Sequence, residues 1–370
     1  MRPVSLLIKP ASGRCNMRCS YCFYRDETSH RARGDLGFMS RETAEKLVDK
    51  AFRAAGGRGE VHFSFQGGEP TLAGLDFFRD FAALADKRNR DRIPVHWALQ
   101  TNGLLLDEAW ADFLTSRRFL VGVSVDGDRS LHDRRRRDAN GQGTFDRTVE
   151  RIRILLDAGA DVNLLCVVTG QAAEKPKQVY RAMKSLGVRY LQFIPCLDPL
   201  EKPRGSMPWS LTPEAYARFL CGVFDLWYRD WEKGDYVSVR QFDDWVHLAA
   251  GQPAGSCASC GDCGGYLVAE ADGSLYPCDF YALDAWQLGT ADQELTDLLK
   301  AETMEAFRAR SRRKPAPCLV CPWFFLCRGG CPNDWDTEKG GNYYCSAFQT
   351  FFNYAARRIL RIAEMERILG

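Results

Sequence analysis

Along the first two-thirds of the chain, short apolar runs alternate with longer stretches whose apolar residues fall three and four apart. The short runs Val4–Lys9, Val61–Phe65, Val95–Gln100, Leu120–Val125, Val162–Val168 and Tyr190–Pro195 read as strands. Several are almost continuously apolar, as parallel strands are when helices cover both faces. The stretches between them read as helices. Ser40 is placed as an N-cap, and Thr144 precedes a periodic run, Phe145–Ala158, that stops at Gly159. Six strand–helix repeats predict stacked βα units with a parallel sheet over residues 1–235. Beyond that point the periodicity weakens, and glycine, cysteine and short turns become frequent. This predicts a second, smaller domain over residues 236–370, held by metal rather than by an apolar core.

Polar motifs follow successive strands. The first strand runs into Cys15, Cys19 and Cys22, and the second ends in Gln66-Gly67-Gly68-Glu69-Pro70. The third ends in Thr101-Asn102-Gly103 and the fourth in Asp126-Gly127. In a βα array these ends lie on one face, where active sites collect.

Composition narrows the function classes. At 370 residues the chain exceeds the usual size of one core. Apolar residues make up 45% and charged residues 26%, the balance of an ordinary globular protein. A formal charge of +2 gives no electrostatic case for a nucleic-acid or membrane partner. Met1-Arg2-Pro3 leads into only a very short apolar run, so no export signal is expected, and no stretch approaches the ~18–20 apolar residues of a membrane span. A cytoplasmic location is the expectation, with a monomer as the default state.

Fifteen cysteines in that compartment argue for metal rather than disulfides. Twelve fall in two groups, the N-terminal loop and residues 257–345. Cys166, Cys196 and Cys221 lie among apolar neighbours and read as small core residues. The charge run Arg134–Arg137 reads as a solvated basic loop.

The C-x3-C-x2-C loop offers three thiolates, whereas a [4Fe–4S] cube normally takes four. One iron is left for a small molecule; on spacing alone, a zinc knuckle or three unrelated thiols also fit. With Tyr21 ahead of the third cysteine, the loop resembles that of the radical S-adenosylmethionine (SAM) superfamily. The resemblance implies an α/β fold, a partial (β/α)6 TIM-type barrel. It also implies SAM chelated to the open iron through its amino and carboxylate groups, and its reductive cleavage to methionine and a 5′-deoxyadenosyl radical. Gly67-Gly68-Glu69-Pro70 matches the superfamily's GGEP motif. Paired glycines let the backbone approach a ligand closely, and the loop carbonyls and the Glu69 carboxylate can accept from an ammonium. The resemblance assigns Tyr21, Gln66, Gly67, Gly68, Glu69 and Ser124 to SAM binding, with Arg151 as a candidate for its carboxylate.

The later cysteines run Cys257-x5-Cys263-x14-Cys278, then Cys318-x2-Cys321-x5-Cys327-x3-Cys331, then Cys345. This resembles the C-terminal cysteine-rich SPASM domain of radical SAM enzymes, which implies two auxiliary [4Fe–4S] clusters. Cys257, Cys263, Cys278 and Cys331 would hold one; Cys318, Cys321, Cys327 and Cys345 would hold the other. With the N-terminal three, eleven cysteines serve three clusters, and Cys260 remains as a bystander or alternative ligand. One or two structural zincs are the rival reading.

Ser274-Leu275-Tyr276-Pro277-Cys278-Asp279-Phe280-Tyr281, Lys9-Pro10-Ala11-Ser12-Gly13 and Gln192-Phe193-Ile194 are similar to the anaerobic sulfatase-maturating enzymes in particular. That resemblance implies oxidation of a cysteine or serine in a sulfatase C/S-x-P/A-x-R motif to Cα-formylglycine. It places Asp279 as the catalytic base beside a cluster ligand; Tyr24, two residues past the last cysteine of the loop, is a candidate second polar contact, a core tyrosine being the other reading. The chemistry suits a carboxylate there: a side-chain radical must lose a proton and an electron to become a C=S or C=O. The implied partners are the sulfatase polypeptide and a low-potential reductant such as a flavodoxin or ferredoxin. Arg240 and Gln241 are candidates for the substrate channel. At Pro195-Cys196 the proline removes a backbone donor that could seat the peptide or SAM. Two other readings fit: a SPASM peptide maturase forming a thioether or C–C crosslink, and a non-catalytic Fe–S or zinc-stabilised protein.

Overall fold

The computed structural model describes residues 3–336 and 340–369. They gather into two compact units interleaved along the sequence. Unit 1 comprises residues 1–124, 133–162 and 264–307, and unit 2 residues 125–132, 163–263 and 308–370.

Unit 1 is built on strands β1 (Val4–Ile8), β2 (Val61–Phe65), β3 (Val95–Thr101) and β4 (Phe119–Ser124), all parallel and in sequence order. Val61, Phe63 and Phe65 of β2 are buried while His62 and Ser64 are half-exposed, so the strand has one helix-covered face and one more polar face. The covered face meets the helices Arg41–Ala55 and Leu75–Arg88. Phe63 stacks edge-on against Phe52 and Phe81, and Phe65 meets Phe78 and Phe81. Each such ring contributes ~1.5–3 kcal/mol by burial. Ser40 caps its helix as expected, accepting from the Thr43 amide.

Thr144 does not cap the helix Phe145–Asp157. Its hydroxyl donates to the Arg136 carbonyl, while the Asp133 carboxylate accepts from the amides of Thr144 and Phe145. One carboxylate oxygen, Oδ1, thus satisfies two of the open amides that a helix start leaves. The basic run is not a solvated loop. Arg136 is buried with its guanidinium 5.5 Å from the centre of the Tyr21 ring, and the carbonyls of Arg135 and Arg137 accept from the amides of Ser20 and Arg18. The segment braces the three-cysteine loop.

Unit 1 also takes in strands from the region where apolar periodicity fades. β8 (Leu267–Ala269) pairs parallel to β1, and β9 (Ser274–Tyr276) and β10 (Gly289–Thr290) follow antiparallel. They are too short for a period-two pattern to register, yet Leu267, Val268, Ala269 and Leu275 are buried.

Unit 2 holds β5 (Asp161–Val168, from residue 163 on), β6 (Tyr190–Pro195) and the two-residue β7 (Ser238–Val239), again parallel. The helices Pro213–Glu232, Arg240–Ala249 and Cys345–Leu369 bury an aromatic cluster of Phe224, Phe242, Trp245 and Phe351. The expectation that metal replaces a core after residue 236 is therefore corrected: an aromatic core runs through that region. Cys166 and Cys196 are buried as expected, whereas Cys221 on the helix Pro213–Glu232 is only half-buried. No described helix is long and apolar enough to cross a membrane.

Candidate active site

β1 delivers the chain into a tight turn, with the Ser12 amide bonding the Lys9 carbonyl and the Arg14 amide bonding that of Ala11. The loop that follows carries Cys15, Cys19 and Cys22, all half-buried, and none is in a disulfide. The Met17 amide lies 3.3 Å from the Cys15 sulfur, and the Asn102 side-chain amide 3.7 Å from it. Burial pushes the Cys15 thiol up to about 12, and the nearby Glu69, Cys19 and Cys22 push the same way. A ligand there must be a thiolate, so binding a cationic cluster removes the proton. Three thiols clustered in one loop, with N–H donors aimed at a sulfur, fit a three-thiolate Fe–S site.

The glycine loop closes against this one. Gly67 and Gly68 have φ of +88° and +46°. A Cβ on Gly67 would stand 2.5 Å from Lys9 Cγ, and one on Gly68 only 2.2 Å from the Arg14 carbonyl oxygen. Only glycine lets the two loops touch, and the Glu69 amide bonds that same carbonyl at 2.7 Å. The Glu69 carboxylate is buried. Its Oε1 accepts from the Thr71 amide, the Thr71 hydroxyl and the Thr101 hydroxyl, and Oε2 accepts from the Asn102 amide at 2.7 Å. Burial raises its pKa against those donors. Glu69 thus ties the end of β3 to the loop and keeps one lone pair of Oε2 for another donor.

The densest polar cluster surrounds Asp279, which opens a short turn after β9. Tyr24 donates to Asp279 Oδ2 at 2.6 Å. Gln66 Nε2 reaches the Tyr24 oxygen at 2.5 Å and Asp279 Oδ2 at 3.2 Å. The Lys9 ammonium lies 3.0 Å from Asp279 Oδ1 as an ion pair, although Oδ1 accepts no aligned hydrogen bond. Lys9 also pairs with Glu27 at 3.3 Å and Glu270 at 3.5 Å. Arg31 in turn holds Glu270 at 2.6 Å and also pairs with Glu27. Burial alone would pull the Lys9 ammonium down, but Asp279, Glu27 and Glu270 outweigh it and hold its pKa above the ordinary lysine value. Burial and then the Asp279 charge push the Tyr24 hydroxyl well above its usual range, so it stays a donor. The Tyr266 hydroxyl meets both the Asp279 amide, at 3.4 Å, and the Cys278 sulfur, at 3.6 Å.

Of the residues expected from sequence, the structure brings Tyr24, Gln66 and Asp279 into direct contact. Tyr21 is buried under Arg136, and Ser124 is the half-exposed last residue of β4. Arg151 lies on the helix Phe145–Asp157, with its Nη2 3.7 Å from Glu150 and a buried Nε that makes no hydrogen bond. Cys278 belongs to unit 1 and the other late cysteines to unit 2. There, burial pushes the Cys327 thiol up to about 12, reinforced by Cys345, Cys318 and Cys321, so these four share one neighbourhood. Cys257 and Cys263 are likewise neighbours. Cys260 is exposed, its sulfur 3.4 Å from the Ala254 carbonyl. Arg240 donates to the Gly255 carbonyl, and Gln241 accepts from Tyr216.

Sequence reasoning missed Glu27, Arg31 and Glu270. Glu270 carried a signal, an acid directly after the apolar triplet Leu267–Ala269. Glu27 and Arg31 form an i, i+4 pair at the helix Phe23–Ser29, indistinguishable in sequence from a surface pair.

Comparison with known proteins accords with this geometry. Residues 10–183 match the family model of the radical SAM superfamily, and residues 257–322 match that of an iron–sulfur cluster-binding (SPASM) domain. A cysteine-type anaerobic sulfatase-maturating enzyme of Clostridium perfringens is 40% identical over 98% of this chain and 99% of its own. A serine-type enzyme of Bacteroides thetaiotaomicron is 29% identical, over 96% and 90%. The solved structure of native anSMEcpe with bound AdoMet and Cp18Cys peptide superposes with a TM-score of 0.92 at 40% identity, covering 98% of this chain and 99% of that one. With the radical SAM α/β fold and a C-terminal SPASM domain, this chain belongs to the anaerobic sulfatase-maturating enzymes, a family of radical SAM oxidoreductases.

Proposed function

We propose that this enzyme oxidises a cysteine, and by the same chemistry a serine, in a sulfatase C/S-x-P/A-x-R motif to Cα-formylglycine. The observation that carries the reading is the setting of Asp279. Tyr24 and Gln66 hold Oδ2, and Oδ1 is buried beside Lys9 without an aligned hydrogen bond.

Cys15, Cys19 and Cys22 hold the SAM-binding cluster. Gln66, Ser124 and the Gly67–Glu69 loop take SAM, with Tyr21 beside them and Arg151 as a further candidate. When bound, SAM and the clusters supply the redox chemistry: a 5′-deoxyadenosyl radical that takes a Cβ hydrogen, and an acceptor for the remaining electron. Asp279 takes the thiol or hydroxyl proton, a task for a fixed carboxylate within hydrogen-bond reach; serine then gives the aldehyde directly, whereas cysteine gives a thioaldehyde that water hydrolyses to the aldehyde with release of sulfide. Two cations, Lys9 and Arg31, face three carboxylates, Glu27, Glu270 and Asp279. One added proton neutralises the cluster, so its formal charge favours accepting one. Tyr24 and Gln66 keep the carboxylate from turning away.

Eleven cysteines in sets of three, four and four support three [4Fe–4S] clusters. Greater identity to the cysteine-type relative than to the serine-type one supports cysteine as the preferred target. A flavodoxin or ferredoxin as reductant, a monomeric state, a cytoplasmic location and a domain boundary near residue 235 complete the proposal.

The test is anaerobic incubation of the reconstituted enzyme with reductant, SAM and a C-x-P-x-R peptide. A peptide aldehyde formed with 5′-deoxyadenosine supports the reading. A crosslinked product that no aldehyde reagent captures would move it to a peptide-crosslinking maturase.

A further inference from the structure

Three side chains of metal-ligating type converge in unit 1, near the starts of β2 and β3, whereas the three-cysteine loop follows the end of β1. His62 of β2 and His96 of β3 are register partners on adjacent parallel strands, so their side chains leave the sheet on the same face. Their rings stand 4.7 Å apart, edge to face. Glu60, just before β2, reaches both, with Oε1 3.3 Å from His62 Nε2 and Oε2 3.3 Å from His96 Nε2. All three donor atoms lie within 4.8 Å of one another.

We propose that Glu60, His62 and His96 form a binding site for one divalent first-row metal ion, zinc being the best match to the donor set. The first argument is geometric. Zinc with bonds of 2.0–2.1 Å in tetrahedral geometry places its ligand atoms about 3.3 Å apart along each edge. Each carboxylate oxygen of Glu60 stands at that length from one of the two histidines, and the three donor groups lie within 4.8 Å, so a small side-chain shift closes them on one ion. The second argument concerns what the contacts are not. His62 Nε2 is buried and makes no hydrogen bond, although a carboxylate oxygen stands beside it. An ordinary Glu–His hydrogen bond would align the ring N–H with that oxygen. A nitrogen that crowds a carboxylate without aligning to it is placed as a co-ligand would be. Neutral imidazole and carboxylate are the usual ligands of zinc and of the other borderline divalent ions.

Among the described residues, Glu60 has no lysine or arginine ion partner, so a dication would supply its countercharge. His96 is more than half exposed and Glu60 partly so, leaving room for the water that completes a three-ligand site. The site is separate from the catalytic cluster. Gln66 lies four residues further along the chain from His62, ~13 Å at strand rise. A metal here ties the entry ends of β2 and β3 together and stabilises the fold by mass action.

The test uses the holoenzyme, with clusters in place so that thiols do not compete. Zinc bound after equilibrium dialysis against a weak chelator is compared for the wild type, His96→Ala and Glu60→Gln, alongside the zinc-induced rise in Tm. The wild type should hold one zinc more than either variant. Each variant should lose affinity by more than the about 10–100-fold that removal of a group behind a ligand costs, and with it the rise in Tm. His96 is more than half exposed, and Glu60→Gln keeps size and shape, so both variants should fold. Equal zinc content and equal Tm shifts in all three proteins would overturn the proposal.

Discussion

Tyr24 donates its hydroxyl to Asp279 Oδ2 at 2.6 Å, joining the residue two places past the last cysteine of the N-terminal loop to the residue directly after Cys278. Two cysteine-bearing segments 255 residues apart in sequence thereby meet at one carboxylate. The proposed reaction needs that meeting, because the radical chemistry belongs to the first segment and the proton and electron leave at the second.

Replacing Asp279 with asparagine keeps the shape of the side chain and removes the base. Formylglycine formation should fall by the roughly 10²–10⁴-fold that a positioned acid–base group contributes, while 5′-deoxyadenosine is still produced. The product ratio, read by mass spectrometry, checks this; unchanged coupling of the two products would exclude the role.

Tyr24→Phe removes one of two donors to Oδ2 and leaves Gln66 in place. A hydrogen bond to a charged group is worth about 1.5–3 kcal/mol, so turnover should fall by roughly 10- to 150-fold, and by less than in Asp279→Asn. A loss as deep as that of the asparagine variant would assign Tyr24 a direct chemical role.

Lys9→Met strips the shared cation from Glu27, Glu270 and Asp279, all buried. Breaking such a group by removing one partner costs about 3–5 kcal/mol, measurable by denaturant unfolding. The double variant Lys9→Met/Glu27→Gln removes one charge of each sign and should recover part of that loss. No recovery would mean that side-chain packing, rather than charge balance, sets the stability.

Gly68→Ala would drive a Cβ to 2.2 Å from the Arg14 carbonyl oxygen at a φ of +46°. Overpacking of about 1–3 kcal/mol should part the two loops. Lower SAM affinity, with iron still bound at the late cysteines, is the expected pattern in binding and iron assays.

Cys318→Ala/Cys321→Ala should lose one cluster, about four irons per chain, while keeping reductive SAM cleavage. An unchanged iron content would overturn the assignment of these two cysteines.

Much of this was legible in the sequence because the chemistry sits in contiguous motifs. Cys15, Cys19 and Cys22 share one loop, the Gly67–Glu69 turn follows one strand, and Asp279 adjoins a cysteine, so chain neighbours report on the site. The βα order was equally readable, since buried strands such as β4 and β5 are long apolar runs. What escaped was assembled through space. Lys9, the Glu27–Arg31 pair and Glu270 come from three separate segments, and Glu27 and Arg31 read as a surface pair; only burial reveals the network. Arg134–Arg137 looked solvated because charge runs usually are, and the Tyr21 ring that draws Arg136 inside lies over a hundred residues earlier. β8 and β9 have three residues each and cannot show a period.

The most direct test of the central claim follows one hydrogen atom. A C-x-P-x-R peptide whose cysteine carries deuterium at Cβ is turned over anaerobically, and the 5′-deoxyadenosine is examined for label. The account predicts deuterium in 5′-deoxyadenosine in step with peptide aldehyde formation. Unlabelled 5′-deoxyadenosine accompanying an oxidised peptide would contradict abstraction at that carbon, and with it the role built for Asp279.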